Sequence, residues 1–272
     1  MRISVVTPNY NMACYLEDTI KSVIENLRPG DEYFVIDGGS TDGSLDVIRR
    51  YEKQLTAWVS ESDEGYADAI GKGFDRATGD ILCWINSSDL YLAGALETAS
   101  SLMTGQIDLI FGDNFYIDER NRVLRFSKGW VPDLRAATLY GGWTPLQEAC
   151  FWRRELYESV GGIDTSLQFA ADYDLFLRMS SATRAEYVPF AFSGFRRHQG
   201  QKSLSGTPSY QRERWHCRSR ELQIHEETWP AQRFKRVLFR LMMSVRARAA
   251  PLVWQRPDLS GIPIATLPCA RY

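Results

Sequence analysis

The chain predicts an α/β fold: a parallel sheet with helices packed on both faces. Three observations lead there. Short apolar or β-branched runs alternate with amphipathic stretches over the first half, in the order strand, helix, strand, helix, strand, helix, strand. The run ILCWI at 81–85 passes directly into Asn86-Ser87-Ser88-Asp89. Such a run reads as a buried strand, and its polar end as the carboxyl edge where open α/β sheets place ligands. Finally, polar clusters at Thr7 to Asn11, Asp37 to Asp42 and Glu61 to Asp68 also fall at strand ends or in loops that can meet there. One carboxylate after a strand is ordinary, and taken alone 86–89 reads equally as an Asx-type turn. Three carboxylates in successive crossings point to a held ribose, base or metal.

Each element has its own signal. Residues 3–7 (ISVVT) are a β-branched strand, and Pro8 to Asn11 a polar turn. A helix follows from about Ala13 to Asn26 with Tyr15, Leu16, Ile20, Val23 and Ile24 on one face, stopped by Pro29 and Gly30. Residues 33–36 form the second strand and end in DGGSTDG, where Ser40 or Thr41 can cap a helix running to about Lys53. LTAWV at 55–59 is the third strand. Residues 66–77 form a helix with Ala69, Ile70, Phe74 and Ala77 inward, closed by Gly79. Beyond the strand at 81–85, a helix is expected from about Ala93 to Met103 and a strand at 107–112. A hairpin pairs 114–118 with 122–126. The segment 127–145 is irregular, 151–164 closes on a double-glycine turn, 172–181 is a helix, and 186–196 carries one or two strands.

Composition narrows the class. At 272 residues and 44% hydrophobic, the chain can bury a full core. A net charge of −2 gives no general case for nucleic acid as a partner. The charge is uneven, however: Gln211 to Tyr272 holds 12 basic and 5 acidic residues against 20 and 29 in the rest. Five scattered cysteines lack CxxC spacing, which disfavours structural zinc and a disulfide framework. RISVVTP follows Met1 without an h-region, and no window approaches 18 continuous apolar residues, so a cytoplasmic protein is expected. Neither GxGxxG nor a Walker sequence occurs, which disfavours dinucleotide-binding and P-loop enzymes.

Five stretches in order, TPNYN (7–11), IDGGSTDG (36–43), SESDEGYADAIGKGF (60–74), GDILCWINSSDLY (79–91) and FAADYDLFLR (169–178), resemble family 2 glycosyltransferases. The resemblance runs from about Ile3 to Ser203. It implies the GT-A fold, with a Rossmann-like, mostly parallel central sheet, and an inverting transferase that uses nucleoside-diphosphate sugars. It also implies roles. Thr7, Pro8 and Tyr10 resemble the base-holding loop, Asp37 the aspartate that bonds the base, Glu61 and Asp63 the base or ribose contacts, and Asp68 a residue near diphosphate or sugar. Asn86-Ser87-Ser88-Asp89 stands where relatives commonly have Asn-Ser-Asp-Asp. Asp89 then takes the metal position for Mn²⁺ or Mg²⁺, and Ser88 removes a neighbouring charge. A hard ion there would draw oxygen ligands from Asp89, the diphosphate and water.

Inversion by single displacement needs a carboxylate base for the acceptor hydroxyl. The resemblance places it at Asp172, preceded by Ala171 where relatives have glutamate; the alternative is that Asp172 is only a helix cap. His198, one of three histidines, is either a hydrogen-bonded surface residue or a phosphate or metal contact, and Lys202 a charge clamp on the diphosphate. Trp143 and Gln147 face the sugar or acceptor, with core packing the alternative for Trp143. A catalytic domain over residues 1–205 and a basic helical extension over 206–272 follow. RFKRVLFRLMMSVRAR (233–248) mixes six basic residues with apolar ones at helical spacing. It is either a helix packed on its own domain or one resting on the anionic inner face of a membrane. The second reading suits a lipid-linked glycan acceptor in bacterial surface polysaccharide synthesis. A donor-binding relative without transfer, kept open by Ser88 and Ala171, and a nucleotidyltransferase are the other classes.

Overall fold

The computed structural model describes residues 1–201, 207–222 and 260–267. The first half follows the expected alternation: β1 (Ile3–Asn9), α1 (Ala13–Ile24), β2 (Glu32–Asp37), α2 (Ser44–Tyr51), β3 (Ala57–Ser60), α3 (Tyr66–Arg76) and β4 (Ile81–Trp84). The two-residue β5 (Leu90–Tyr91), α4 (Ala95–Leu102), β6 (Leu109–Ile117) and β7 (Val123–Ser127) come next. A helical turn α5 (Leu134–Ala136), β8 (Cys150–Arg153), α6 (Arg154–Ser159), α7 (Ala171–Ala182), β9 (Glu186–Arg196) and α8 (Thr207–Glu221) complete it. The double glycine ends α6 as expected. Gly161 and Gly162 take φ of 80° and 72°, a pair of left-handed residues that other side chains resist.

The sheet runs β3-β2-β1-β4-β8-β6-β9-β5, with β7 on the outer part of β6. β3, β2, β1 and β4 are mutually parallel. The expectation of a mostly parallel sheet does not hold beyond β4. Among the described residues, β8 enters antiparallel to both β4 and β6, β7 is antiparallel to β6, and β5 to β9, whereas β6 and β9 are parallel. The central sheet is therefore mixed. A short apolar run such as CFW announces burial, but its direction depends on the neighbour it meets.

Alternation along each buried strand feeds two cores. On one face Val6, Phe34, Ile36 and Trp84 pack against Ile70 and Phe74 of α3 and against Tyr173 and Phe176 of α7. Trp84 and Trp152 meet edge-on at 5.3 Å, an aromatic contact of about 0.5–1.5 kcal/mol beyond burial. On the other face Val5 and Val35 meet Leu16, Ile20 and Val23 of α1, Ile48 of α2 and Leu96 of α4. Helices thus cover both faces. A third cluster joins Phe115, Ile117 and Val123 to Ile264, because 260–267 bonds the β6–β7 turn through Ile264 N–H to Asn121 O at 2.9 Å. No helix among the described residues is long and apolar enough to cross a membrane. Arg233–Arg248 lies outside the described residues.

Candidate active site

The parallel register aligns the carboxyl ends of three strands, with Asn9 opposite Asp37 and Asp37 opposite Ser60. Asp37 is fully buried and accepts from Asn9 Nδ2 (2.6 Å), Ser60 Oγ (2.7 Å), Ser40 N (2.9 Å), Gly39 N (3.1 Å) and Ser40 Oγ. Burial opposes its charge, but the Ser40 and Ser60 hydroxyls, the Ser40 amide and Asn9 outweigh it and hold the carboxyl below its usual value. Asp37 therefore fixes the turn after β2. Ser40 is occupied here rather than capping α2, which starts later, at Ser44. Thr7 bonds the Tyr33 hydroxyl at 3.0 Å and Pro8 is buried, whereas Tyr10 stands 61% exposed at the sheet edge. Asp63 Oδ1 accepts from Gly65 N at 2.9 Å; a Cβ at Gly38 would run into its other oxygen, so the glycine admits the Asp63 loop. Lys72 of α3 draws Glu61 and Asp68 together, its Nζ 3.0 and 3.1 Å from their carboxylates.

The turn after β4 is held from the far end of the sheet. Arg196, buried at the end of β9, donates its backbone N–H to Asp89 Oδ1 (2.9 Å) and its Nε to Ser88 O (2.7 Å). Its Nη groups reach Glu119 O at 3.3 Å and Asp18 at 3.5 Å, and the guanidinium lies 4.7 Å over the Tyr15 ring. Arg196 is thus a strut beneath the turn. His198, two residues on, packs on Tyr15 with ring centres 5.0 Å apart. Burial, then the Arg196 charge, lowers its pKa and favours the neutral imidazole. Lys202 lies outside the described residues.

Asp172 opens the first turn of α7, half-buried, with Oδ1 accepting from Tyr173 N at 2.7 Å. Burial pushes its carboxyl up to about 6, against the Tyr173 amide and the Arg214 guanidinium, which favour the charge. The residue before it is tied to α3, since Ala171 N–H donates to the Tyr66 hydroxyl at 2.9 Å. Gln147 is buried, and among the described residues neither its Nε2 nor its Oε1 has a partner. Trp143 is half-buried and packs on the core cluster that contains Tyr173.

Sequence reasoning passed over Glu148. It is fully buried, and neither oxygen has a hydrogen-bond partner among the described residues. Burial, then the nearby Asp89 and Asp172, drives its pKa far above the carboxylate range. Its signal in the sequence was a glutamate inside PLQEACFW, where a charge has no business unless it faces a site. Asn9 and Arg196 were also missed as organisers, because their partners lie 28 and 107 residues away.

A divalent ion can be tested against this donor set. Asp89 is buried with its charge opposed by burial, and its oxygens take only N–H donors, Arg196 N and, at 3.3 Å, Asn86 Nδ2. No group of three His, Cys, Asp or Glu among the described residues could hold an ion by itself. The residues fit an ion that takes one protein carboxylate and draws its other oxygens from a diphosphate and water, the habit of Mg²⁺ at phosphate sites.

The strand ends that align Asn9, Asp37 and Ser60 lie where an α/β sheet places its ligand, and the family match gives the class: a transferase that uses nucleotide sugars. The chain belongs to glycosyl transferase family 2, whose family model matches residues 4–161. It is 31% identical over 182 residues to an uncharacterized glycosyltransferase of Mycobacterium tuberculosis, covering 65% of this chain and 68% of the relative. It is 35% identical over 104 residues to TuaG of Bacillus subtilis, named for teichuronic acid biosynthesis, covering 37% of this chain and 41% of that protein. In fold it is similar to Staphylococcus aureus TarS (TM-score 0.65, 16% identity, 94% of this chain and 76% of that one). It is also similar to the mannosyltransferase PcManGT of Pyrobaculum calidifontis, solved with GDP-Man and Mn²⁺ (TM-score 0.61, 17% identity, 92% and 76%).

Proposed function

We propose that this glycosyltransferase inverts the anomeric centre of a nucleoside-diphosphate sugar while moving it to a hydroxyl of a glycan or lipid-linked acceptor in surface polysaccharide synthesis. The observation that carries this reading is Asp172: a carboxyl at a helix N-terminus, raised to about 6, ionised at neutral pH yet basic enough to take a proton. It removes the acceptor's hydroxyl proton as the acceptor oxygen bonds the anomeric carbon from the face opposite the leaving group. The bond from that carbon to the diphosphate oxygen breaks, and the nucleoside diphosphate leaves with the electron pair.

The other residues bind and orient. Tyr10, above the Thr7–Pro8 turn, offers its exposed ring to the base, and Asp37, Glu61 and Asp63 shape the base and ribose site. Asp68 lies towards the diphosphate. Gln147, with neither amide atom paired among the described residues, Ser88 and Trp143 serve the sugar or acceptor. Asp89 would hold Mn²⁺ or Mg²⁺, His198 would contact the phosphate or the ion, and Lys202 would add positive charge. The ion supplies neutralisation of the leaving diphosphate. The relative named for teichuronic acid synthesis supports the polysaccharide setting, and the basic stretch at 233–248 supports an acceptor presented at a membrane's cytoplasmic face.

The test is donor turnover by the purified protein over UDP-, GDP-, dTDP- and CMP-sugars, with and without Mn²⁺, with donor binding followed by calorimetry. Metal-dependent turnover of one donor is expected. Failure to bind every nucleotide sugar in the presence of Mn²⁺ would sink the proposal.

A further inference from the structure

Two adjacent side chains of α8 reach the helix that carries Asp172. The Glu213 carboxylate accepts from the backbone N–H groups of Gln168 (3.1 Å), Phe169 (2.8 Å) and Ala170 (2.8 Å), the last residues before α7. The N-cap residue of α7 is Ala170, which has no side-chain acceptor of its own. Amides at a helix entrance need acceptors, and a negative charge there is favoured by the helix dipole. The chain meets both needs from more than forty residues downstream. Arg214, the next residue, donates to Gly142 O and lies 4.6 Å over the ring of Tyr173. Neighbouring residues of α8 thereby hold the approach to the base, the residue after it, and the turn that leads to Trp143. α8 lies outside the residues 4–161 that the family model matches.

We propose that Glu213 is a positioning residue for Asp172, holding the 168–170 segment so that the base enters the first turn of α7 at a fixed place and angle. The inference rests on the reading of Asp172 as base. It follows from geometry that a carboxylate bonded to three consecutive amides leaves that segment little freedom, and that a shift of about 1 Å at a reacting group can cost 100-fold in rate. Glu213 also acts on Asp172 by charge. The titratable and charged groups that face Asp172 are Glu213, Arg214 and Tyr210 of α8, Tyr66 of α3, Glu148, and Cys150 of β8. Glu213 raises the Asp172 value and Arg214 lowers it.

Glu213→Ala, Glu213→Gln and Asp172→Asn separate the possibilities, with hydrolysis of UDP-GlcNAc and GDP-mannose in Mn²⁺ as first probes and the best donor of the wider panel thereafter. Glu213→Ala is expected to lower kcat by about 10- to 100-fold with donor KM changed less than about twofold, and to speed hydrogen exchange at amides 168–170. Glutamine can keep its one carbonyl oxygen on Phe169 and Ala170 while losing the charge. Glu213→Gln should therefore regain most of kcat and move the acid limb of the pH profile to lower pH. Wild-type kcat in Glu213→Ala despite faster exchange at 168–170 would overturn the inference. So would a Glu213→Gln protein with faster exchange at amides 168–170 and wild-type kcat, which decides the matter even if the alanine variant does not fold. Wild-type turnover by Asp172→Asn would remove the base reading itself, whatever the Glu213 variants do.

Discussion

Asp172 and Asp174 stand two residues apart in the first turn of α7, and the structure gives them opposite roles. Asp174 is buried and pairs with Arg178, whose Nη2 is 2.6 Å away, and with Arg220 of α8; it ties α7 to its neighbours. Asp172 instead has its carboxyl pushed up to about 6, chiefly by burial. Its folded value lies above the ordinary 3.8, so the fold favours the protonated acid. That contribution to stability is complete below about pH 4 and is lost as the pH rises through the folded value. Asp172→Asn is therefore expected to raise Tm more at pH 8 than at pH 5, while lowering kcat by about 10²- to 10⁴-fold. Wild-type kcat should itself fall on the acid side near pH 6, where the base takes its proton. A capping aspartate would behave otherwise, since losing a cap costs about 1 kcal/mol of stability. Thermal melts of the variant at the two pH values distinguish the roles.

At the scale of elements, Arg196 ties the turn after β4, in the middle of the sheet, to the end of β9. β4 and β9 are not neighbours in the strand order, yet the turn after β4 is bonded to the last residue of β9 through Ser88 and Asp89. Arg196→Met would keep the length and apolar stem but leave Ser88 O without its donor. Unfolding in urea should show a loss of about 3 kcal/mol, from unpaired buried groups. Donor affinity in Mn²⁺ should fall too, as the turn that carries Asp89 loosens. An unchanged midpoint would mean that the turn holds itself through the Asp89 N–H to Asn86 O bond, which is 3.0 Å long.

For the whole molecule, charge and chain connectivity both concern the C-terminal quarter. Gln211 to Tyr272 carries seven more basic than acidic residues, although the chain as a whole is at −2. The described parts of that quarter pack on the body: α8 caps α7, and 260–267 closes over the β6–β7 turn with Ile264 in the core. The proposed membrane contact therefore rests on the basic stretch, not on the whole extension. Replacing Arg233, Lys235, Arg236 and Arg240 by glutamine should weaken co-sedimentation with phosphatidylglycerol vesicles by about 1 kcal/mol per charge, with donor hydrolysis unchanged. Equal sedimentation of both proteins would assign the stretch to packing on its own domain.

By itself the sequence determined the alternation of strands and helices up to β4, the inward faces of α1 and α3, the hairpin now seen between β6 and β7 and the double-glycine stop, because periodicity and turn chemistry act over a few residues. It split β6, which runs unbroken from Leu109 to Ile117, into two strands. It also pointed to Asp89 and the clusters at the strand ends, since polar residues that end apolar runs collect at a sheet edge, whereas Asp172 came from the resemblance to family 2 glycosyltransferases. It could not state that Asp37 is already saturated by Ser40, Ser60 and Asn9, nor that Arg196 lies under the Asp89 turn rather than over a diphosphate. The direction of β8, the burial of Glu148 and the Glu213 cap on α7 were equally hidden. Each of these depends on which distant segments come to lie side by side, and only the folded sheet, by bringing them within hydrogen-bond reach, decided it.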